Sequence, residues 1–78
     1  MARSEFRKGD VLVQIGEPFK WLILGVERTG QMWMYKTISE IGLREGDKPN
    51  NWPIEWIERD SVKVGEWDFE NGKEVEDD

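Results

Sequence analysis

The fold of this chain is decided by residues 21–38, which read Trp-Leu-Ile-Leu-Gly-Val-Glu-Arg-Thr-Gly-Gln-Met-Trp-Met-Tyr-Lys-Thr-Ile. Two apolar runs flanking a glycine turn signal predict a β-hairpin. We expect a three-residue loop, residues 28–30, with Gly30 in the left-handed conformation that a type I turn followed by a G1 bulge requires. This register would pair Leu24 with Met34, Val26 with Met32, Ile23 with Tyr35, and Gly25 with Trp33, whose indole would cover the bare glycine.

Both faces of the predicted hairpin are apolar. Successive side chains of a strand point to opposite faces, which places Leu22, Leu24 and Val26 on one face and Trp21, Ile23 and Gly25 on the other. An antiparallel pair with one face in water alternates between apolar and polar residues, and this pair does not. The second face must therefore be covered, which predicts that the protein binds something.

The chain offers little to cover the face of Ile23, Trp33 and Tyr35. Trp67 and Phe69 lie among acidic residues that resist deep burial. We therefore expect an intermolecular contact, most simply a symmetric homodimer that uses this face or the adjoining Trp52–Trp56 region.

The length and the composition of the chain limit the classes of protein to which it can belong. Seventy-eight residues form one small domain. The chain has no cysteine and no histidine, so disulfides, thiolate metal sites and histidine acid–base chemistry are excluded. The longest apolar run is too short to span a bilayer, and the first residues lead into charged ones. We expect a soluble cytoplasmic protein without a cofactor or a metal.

The net charge of −6 is concentrated at one end of the chain. Residues 67–78 contain six acidic residues and one lysine, whereas the other 66 residues are nearly neutral. Affinity for a nucleic-acid backbone comes mainly from clustered lysine and arginine, so this distribution disfavours nucleic-acid binding.

The chain divides into a flexible arm (1–5), an all-β domain (6–70) and an acidic tail (71–78) that we expect to be mobile. A first strand carries Val11, Val13 and Ile15 after a Gly9-Asp10 turn. Residues 54–57 predict a fourth strand, with a helix starting at Pro53 as the alternative. Residues 58–61 would form a 3₁₀ turn and residues 62–64 the closing strand. The expected core is Val11, Val13, Leu24, Val26, Met34, Val62 and Val64.

Residues 39–51 have the composition of a loop, with two glycines, a proline and paired asparagines. Ile41 and Leu43 would anchor it. A loop of this length is either a solvated connection or a binding loop, and the sequence leaves both interpretations open.

The pattern Phe6-x-x-Gly9-Asp10-x-Leu12, followed by a long strand and a hairpin, resembles the opening of the SH3-like small β-barrels. That group includes Tudor, KOW and chromo-type modules and many small bacteriophage proteins. The resemblance covers residues 6–65 and implies a five-stranded, strongly bent barrel that usually binds and rarely catalyses. It implies no site, because no aromatic cage or proline-peptide groove is matched residue by residue.

Five tryptophans in 78 residues are the main candidates for a site. Their structural interpretation is a core filled by large aromatic side chains. Their functional interpretation is an aromatic patch that anchors a partner or stacks a planar ligand, because tryptophan and tyrosine dominate interface anchors. The candidate binding residues are the aromatics Trp33, Tyr35, Trp52 and Trp56 with the cations Arg28, Lys36, Arg44 and Lys48.

Three functions follow in order of preference. The first is a non-catalytic module that binds a protein partner or itself, similar to phage-encoded inhibitors that occupy a host protein's surface. The second is a protein that sequesters a nucleotide-like ligand, with an aromatic ring on the base and the four cations on the phosphates. The third is a DNA mimic that acts through the acidic tail.

Catalysis and metal binding have little support in the sequence. The carboxylate pairs Glu55–Glu58 and Asp47–Asp60 arise easily by chance in a chain with 36% charged residues. Glu76, Asp77 and Asp78 have no rigid loop that would preset oxygen ligands for Ca²⁺. We expect no enzyme.

Overall fold

The computed structural model describes residues 5–76, without the side chains of residues 40, 41 and 76. The chain is predominantly β and forms one antiparallel sheet of six strands with two short helices. The elements are β1 (Asp10–Gln14), β2 (Lys20–Thr29), β3 (Met32–Ser39), α1 (Glu40–Glu45), β4 (Asn50–Pro53), α2 (Ile54–Asp60), β5 (Ser61–Asp68) and β6 (Lys73–Glu76).

The sheet has the order β4-β3-β2-β1-β5-β6 and is not closed. The all-β prediction is confirmed, but the five-stranded barrel is not: there are six strands, and the sheet keeps two edges. The closing strand expected over residues 62–64 is part of β5, which pairs with β1. Of the expected flexible arm, Glu5 alone lies within the described residues. None of the helices within residues 5–76 is long and apolar enough to cross a membrane.

The hairpin is present, but its predicted register is wrong. Gly30 is left-handed as expected, with φ of 63°. Thr29 pairs with Met32, however, so the loop has two residues, not three. Gly30 supplies the positive φ at the first central position and Gln31 has none, which is the pattern of a type II′ turn. Trp33 consequently lies opposite Arg28 instead of Gly25.

A β-bulge at Leu24 explains a second error. The pairing shifts between Ile23 and Gly25, so one extra residue of β2 is accommodated there. Ile23 and Val26, three residues apart, therefore pack in the same cluster instead of on opposite faces. A strict two-residue period cannot describe a strand that contains a bulge.

Two apolar clusters replace the predicted core. The first contains Phe6, Leu12, Ile23, Tyr35 and Ile54, with Val26 and Ile57 packed against it. The second contains Val11, Leu22 and Ile38, with Leu24, Leu43, Val64 and Trp67 packed against it. Of the seven predicted core residues Val11 alone is fully buried, and Val62 is 51% exposed.

The chain itself covers most of its second apolar face, so the premise that this face lacks an internal cover is wrong for Ile23 and Tyr35. Trp33 and the Trp52–Trp56 region remain exposed, and the expected homodimer stays a prediction. Ile23 and Tyr35 are fully buried, and Phe6 and Ile54 belong to the cluster around them. Ile54 reaches this position because residues 54–57 form the start of α2 and not the expected fourth strand. The alternative of a helix beginning after Pro53 is confirmed, and the three-residue spacing of Ile54 and Ile57 places both on the inner side of that helix.

The segment expected as a loop, residues 39–51, contains α1. Ser39 caps its first turn, since the Ser39 hydroxyl accepts the N–H of Gly42 at 2.9 Å. Gly46 ends the helix in the left-handed conformation, with φ of 77°. Leu43 anchors this segment in the second cluster as expected.

The expected loose acidic tail is a strand as far as Glu76. β6 pairs with β5 through a four-residue loop, residues 69–72. The Glu74 carboxylate accepts hydrogen bonds from the Lys20 ammonium at 2.8 and 3.0 Å. Residues 77–78 lie outside the described part of the chain. The opposite edge of the sheet is β4, and that edge leads directly into α2.

Candidate functional site

Trp52 and Trp56 form an exposed aromatic pair beside the edge of the sheet that β4 forms. Trp52 lies in β4 and Trp56 in the first turn of α2; Pro53 is the last residue of β4 and the cap residue of α2. Their ring centroids are 6.3 Å apart and their planes are inclined by 36°. Trp52 remains 39% exposed and Trp56 53% exposed. Two of the four predicted aromatic binding residues therefore lie together on the surface.

The pair stands at a cavity of about 110 Å³ between α2 and the sheet, which we call the tryptophan cavity. Its apolar lining consists of Trp21, Trp52, Trp56 and Ile57. Its polar lining consists of Gln14, Thr37, Asp60 and Ser61. Five strands and α2 contribute residues, so the cavity depends on the assembled sheet and not on one local segment.

Asp60 is the one charged residue among the described residues that line the tryptophan cavity. Its carboxylate accepts two hydrogen bonds from the neighbouring Arg59 guanidinium, Nε to Oδ1 and Nη2 to Oδ2, both at 3.2 Å. These hydrogen bonds raise the pKa of Arg59. The Arg59 side chain is 71% exposed and is not part of the lining. The cavity therefore combines aromatic rings with the partly exposed carboxylate of Asp60.

Tyr35 lies under this surface and not on it. Its hydroxyl accepts the N–H of Phe6 at 3.1 Å and donates to the Glu58 carboxylate at 3.0 Å. Burial, and then the hydrogen bond to Glu58, raises the pKa of Tyr35 to about 12. The ring has no exposed surface, so the structure removes Tyr35 from the residues that can touch a ligand.

Trp33 lies apart from the pair, near the tip of the hairpin. It is 42% exposed, and the Arg28 guanidinium lies 5.9 Å from its ring centroid, which is a cation–π distance. Arg28 is fixed further by a hydrogen bond from its Nε to the Gly30 carbonyl at 3.0 Å. A shallow groove here is lined by Gln31, Met32, Trp33, Pro53, Ile54 and Glu55.

The predicted cations do not converge on the aromatic pair. Lys36 follows Tyr35 in β3, so its side chain leaves the opposite face, where its ammonium lies 3.3 Å from the Glu27 carboxylate. Arg44 is in the last turn of α1, and Lys48 is in the connection to β4. None of the four predicted cations is among the described residues that line the tryptophan cavity.

Several lining residues were missed by sequence reasoning. The strand pattern places Trp21 on an apolar face of the hairpin, and nothing in the sequence around Gln14 or Ser61 indicates a binding role. They meet because β1 pairs with β5 and with β2, bringing together residues that are far apart in the chain. The sequence suggests Asp60 only as an acid–base partner of Asp47. Glu58, the possible partner of Glu55, instead accepts a hydrogen bond from the Tyr35 hydroxyl.

The described residues contain no group of three or more carboxylates that would hold a metal ion. The calcium site considered for Glu76, Asp77 and Asp78 lies largely outside them. Compared with protein-family models, with curated proteins and with solved structures, the chain matches none. The functional argument therefore rests on the tryptophan cavity and its rim.

Proposed function

We propose that this chain is a non-catalytic binding module that contacts another protein through the tryptophan cavity and the exposed rings of Trp52 and Trp56. The observation that carries the proposal is the exposure of this pair beside a cavity. An indole leaves a large apolar area in water, and tryptophan is among the residues that contribute most to protein interfaces.

Strand pairing and helix packing hold Trp52 and Trp56 in place. The backbone of Trp52 is hydrogen-bonded into the sheet opposite Tyr35. Trp56 is carried by a helix whose Ile54 and Ile57 pack in the first cluster. A preformed site loses little conformational entropy on binding, so most of the interaction free energy of the rings is available to hold a partner.

The size and the lining of the cavity favour a side chain over a nucleotide. Pockets that enclose drug-sized ligands measure roughly 300–1,000 Å³, whereas the tryptophan cavity measures about 110 Å³. A phosphate group needs cationic or N–H donors, and no lysine or arginine is among the described lining residues. Insertion of one side chain from a partner protein fits both the small size and the lining of the cavity. Such a contact would serve an inhibitor as well as an adaptor.

The proposed fold is an SH3-like bent sheet. β1 lies between β2 and β5, and a short helix connects β4 to β5. This arrangement supports the resemblance described from the sequence, and a binding role agrees with it. The resemblance identifies no partner.

Affinity capture with matched variants tests the proposal. Tagged wild-type protein, Trp52→Ala/Trp56→Ala, and Phe69→Ala/Val75→Ala are incubated with lysate of the source cells or of a host. The control pair is exposed to a similar degree, at 47% and 50%, but lies at the β5–β6 end of the sheet.

A protein captured by the wild type and the control is then purified and its affinity measured. The tryptophan variant should bind it at least about tenfold more weakly, the usual effect of removing an interface anchor. All three proteins must first show the same circular dichroism spectrum. Equal binding by all three would exclude the tryptophan pair as the interface.

Self-association is the second candidate, favoured by Met32 and Trp33, which are exposed side by side at the hairpin tip. Sedimentation equilibrium at tens of micromolar distinguishes the two. A dimer that is lost in Trp33→Glu but retained in Trp52→Ala/Trp56→Ala would assign the hairpin tip to self-association.

A further inference from the structure

We propose that the tryptophan cavity receives an arginine side chain from a partner protein. The guanidinium would stack on the indole faces and bind the Asp60 carboxylate. This inference rests on the proposed function and names the chemistry of the partner at the same site.

The charge of the ligand follows from the lining. Trp21, Trp52 and Trp56 present aromatic rings, whose faces attract cations. Asp60 adds a carboxylate whose partner, Arg59, lies outside the lining, and the described lining contains no positively charged residue. An anionic group would meet the carboxylate in partly desolvated surroundings, which is unfavourable, whereas a cation is stabilised by both kinds of neighbour.

The choice of arginine follows from the geometry at Asp60. Its carboxylate already accepts two parallel hydrogen bonds from a guanidinium, that of Arg59, with both N–O distances at 3.2 Å. A planar guanidinium is able to stack on an indole while it donates two parallel hydrogen bonds to a carboxylate. A lysine ammonium is not planar and does not offer this combination. The pair with Arg59 is exposed, and exposed pairs contribute little stability, so an incoming arginine is able to replace it.

A polypeptide is the favoured source of this arginine. The exposed rings of Trp52 and Trp56 offer apolar surface beyond the cavity itself. β4 forms one edge of the six-stranded sheet, next to the cavity, so an extended segment has a strand edge to lie along. The net charge of −6 also favours encounter with a basic partner.

Blocked amino acids test the chemistry of the ligand. N-acetyl-arginine amide, the lysine analogue and the uncharged isostere N-acetyl-citrulline amide are titrated into the ¹⁵N-labelled protein. The five tryptophans give five indole N–H signals. We expect the signals of Trp21, Trp52 and Trp56 to shift, with arginine binding at least about fivefold more tightly than citrulline or lysine. Equal affinity for arginine and citrulline would overturn the proposal.

Two neighbouring variants give effects of opposite sign. Asp60→Asn should weaken arginine binding by about fivefold and leave citrulline binding unchanged. Arg59→Ala should strengthen arginine binding by about two- to threefold, because it frees the carboxylate from its competitor. A purely structural role of this helix end would weaken binding in both variants, and that result would overturn the assignment. Thermal melts of both variants establish that each is folded.

Peptides distinguish the source of the guanidinium. A peptide with one arginine among glycines and serines should bind more tightly than the blocked amino acid, whereas equal affinity would overturn a polypeptide partner in favour of a free cation. If concentrating the protein alone shifts the same three indole signals, and N-acetyl-arginine amide reverses that shift, the arginine comes from a second copy and a separate partner protein is excluded.

Loss of protein capture in Trp52→Ala/Trp56→Ala without any arginine preference would overturn this inference alone. Retention of capture in that variant would overturn the proposed function as well.

Discussion

Tyr35 and Trp52 are direct neighbours in the sheet, yet their environments are opposite. They pair across β3 and β4, so their side chains leave the same face. Tyr35 has no exposed surface and both of its polar contacts are made within the chain. Trp52 is 39% exposed and opens onto a cavity. One aromatic side chain completes the fold, and its neighbour remains available for binding.

Helix α2 creates this difference. One side of the helix carries Ile54, Ile57 and Glu58, which pack around or hydrogen-bond the buried tyrosine. Trp56 and Asp60, four residues apart, contribute to the wall of the cavity on another side. Ile57 lies between the two sides, because it also lines the cavity. The same seven residues therefore serve both stability and the proposed recognition, and substitutions on the two sides should separate these roles.

The largest expected effect compares Ile54→Ala with Trp56→Ala. Ile54 is 7% exposed and belongs to the first cluster, so its truncation should lower the free energy of unfolding by about 2–5 kcal/mol. Trp56 is 53% exposed, and its truncation should cost about 1 kcal/mol or less. Urea denaturation followed by circular dichroism measures both. Equal losses would contradict the division of α2 into a core side and a binding side.

High pH should weaken the buried tyrosine selectively. The neutral, protonated phenol is the favoured form in the fold, and its pKa is raised from 10.0 to about 12. The folded state therefore keeps a proton that the unfolded state loses above pH 10, so stability decreases as pH rises from 10 to 12. Two pKa units correspond to about 2–3 kcal/mol.

Tyr35 is the one tyrosine of the chain, so absorbance at 295 nm reports its ionisation alone. The midpoint should lie near 12 in the folded protein and near 10 in concentrated urea. A folded-state midpoint near 10 would show that Tyr35 is not buried as described.

Removal of the phenol oxygen should have an intermediate effect. Tyr35→Phe leaves the buried N–H of Phe6 without its acceptor and Glu58 without one of its two donors, since the Glu5 N–H remains. The loss should cost about 1–3 kcal/mol. Trp52→Phe, at the paired position, should change stability by less than about 1 kcal/mol. Chemical denaturation of the two variants under the same conditions tests whether neighbours in register differ in this way.

The smallest effect concerns the opposite edge of the sheet. Deletion of residues 73–78 removes the pairing of β6 with β5 and the ion pair between Glu74 and Lys20. We expect a loss of about 1–2 kcal/mol, because the lost hydrogen bonds are near the surface. The indole signals of Trp52 and Trp56 should stay in place. Movement of those signals would show that the cavity depends on the whole sheet up to β6.

The sequence predicted best those features that depend on a few adjacent residues. Gly30 marks the hairpin turn because its backbone conformation is a local property. The register failed first at this turn, where the loop has two residues instead of the expected three, and again at Leu24, since a bulge depends on pairing with another strand and leaves no local mark in the sequence. Signals for the helices were present but outweighed: Ser39 and Gly46 flank α1, and Ile54 and Ile57 have helical spacing.

The sequence also predicts only those parts of the candidate site that depend on residues close together in the chain. Trp52 and Trp56 are close in the chain, and the sequence names both as candidate binding residues; the structure places their rings side by side on the surface. Trp21 and Ser61 join them only through long-range strand pairing, which a single sequence does not encode in any short pattern. Tyr35 was expected on the surface because the hairpin alone does not reveal the helix that covers it.

The central position of the first strand has a consequence for how the chain folds. β1 precedes the β2–β3 hairpin in the chain, but its partner β5 pairs with it across a wide gap, as Gly65 lies 54 residues after Val11. Closing so long a loop costs more entropy than forming the β2–β3 hairpin, and non-local pairing slows folding. The sheet cannot be completed until β5 has paired with β1. Until then one edge of β1 remains open to other chains, so the partly folded protein is most prone to aggregation before β5 is in place.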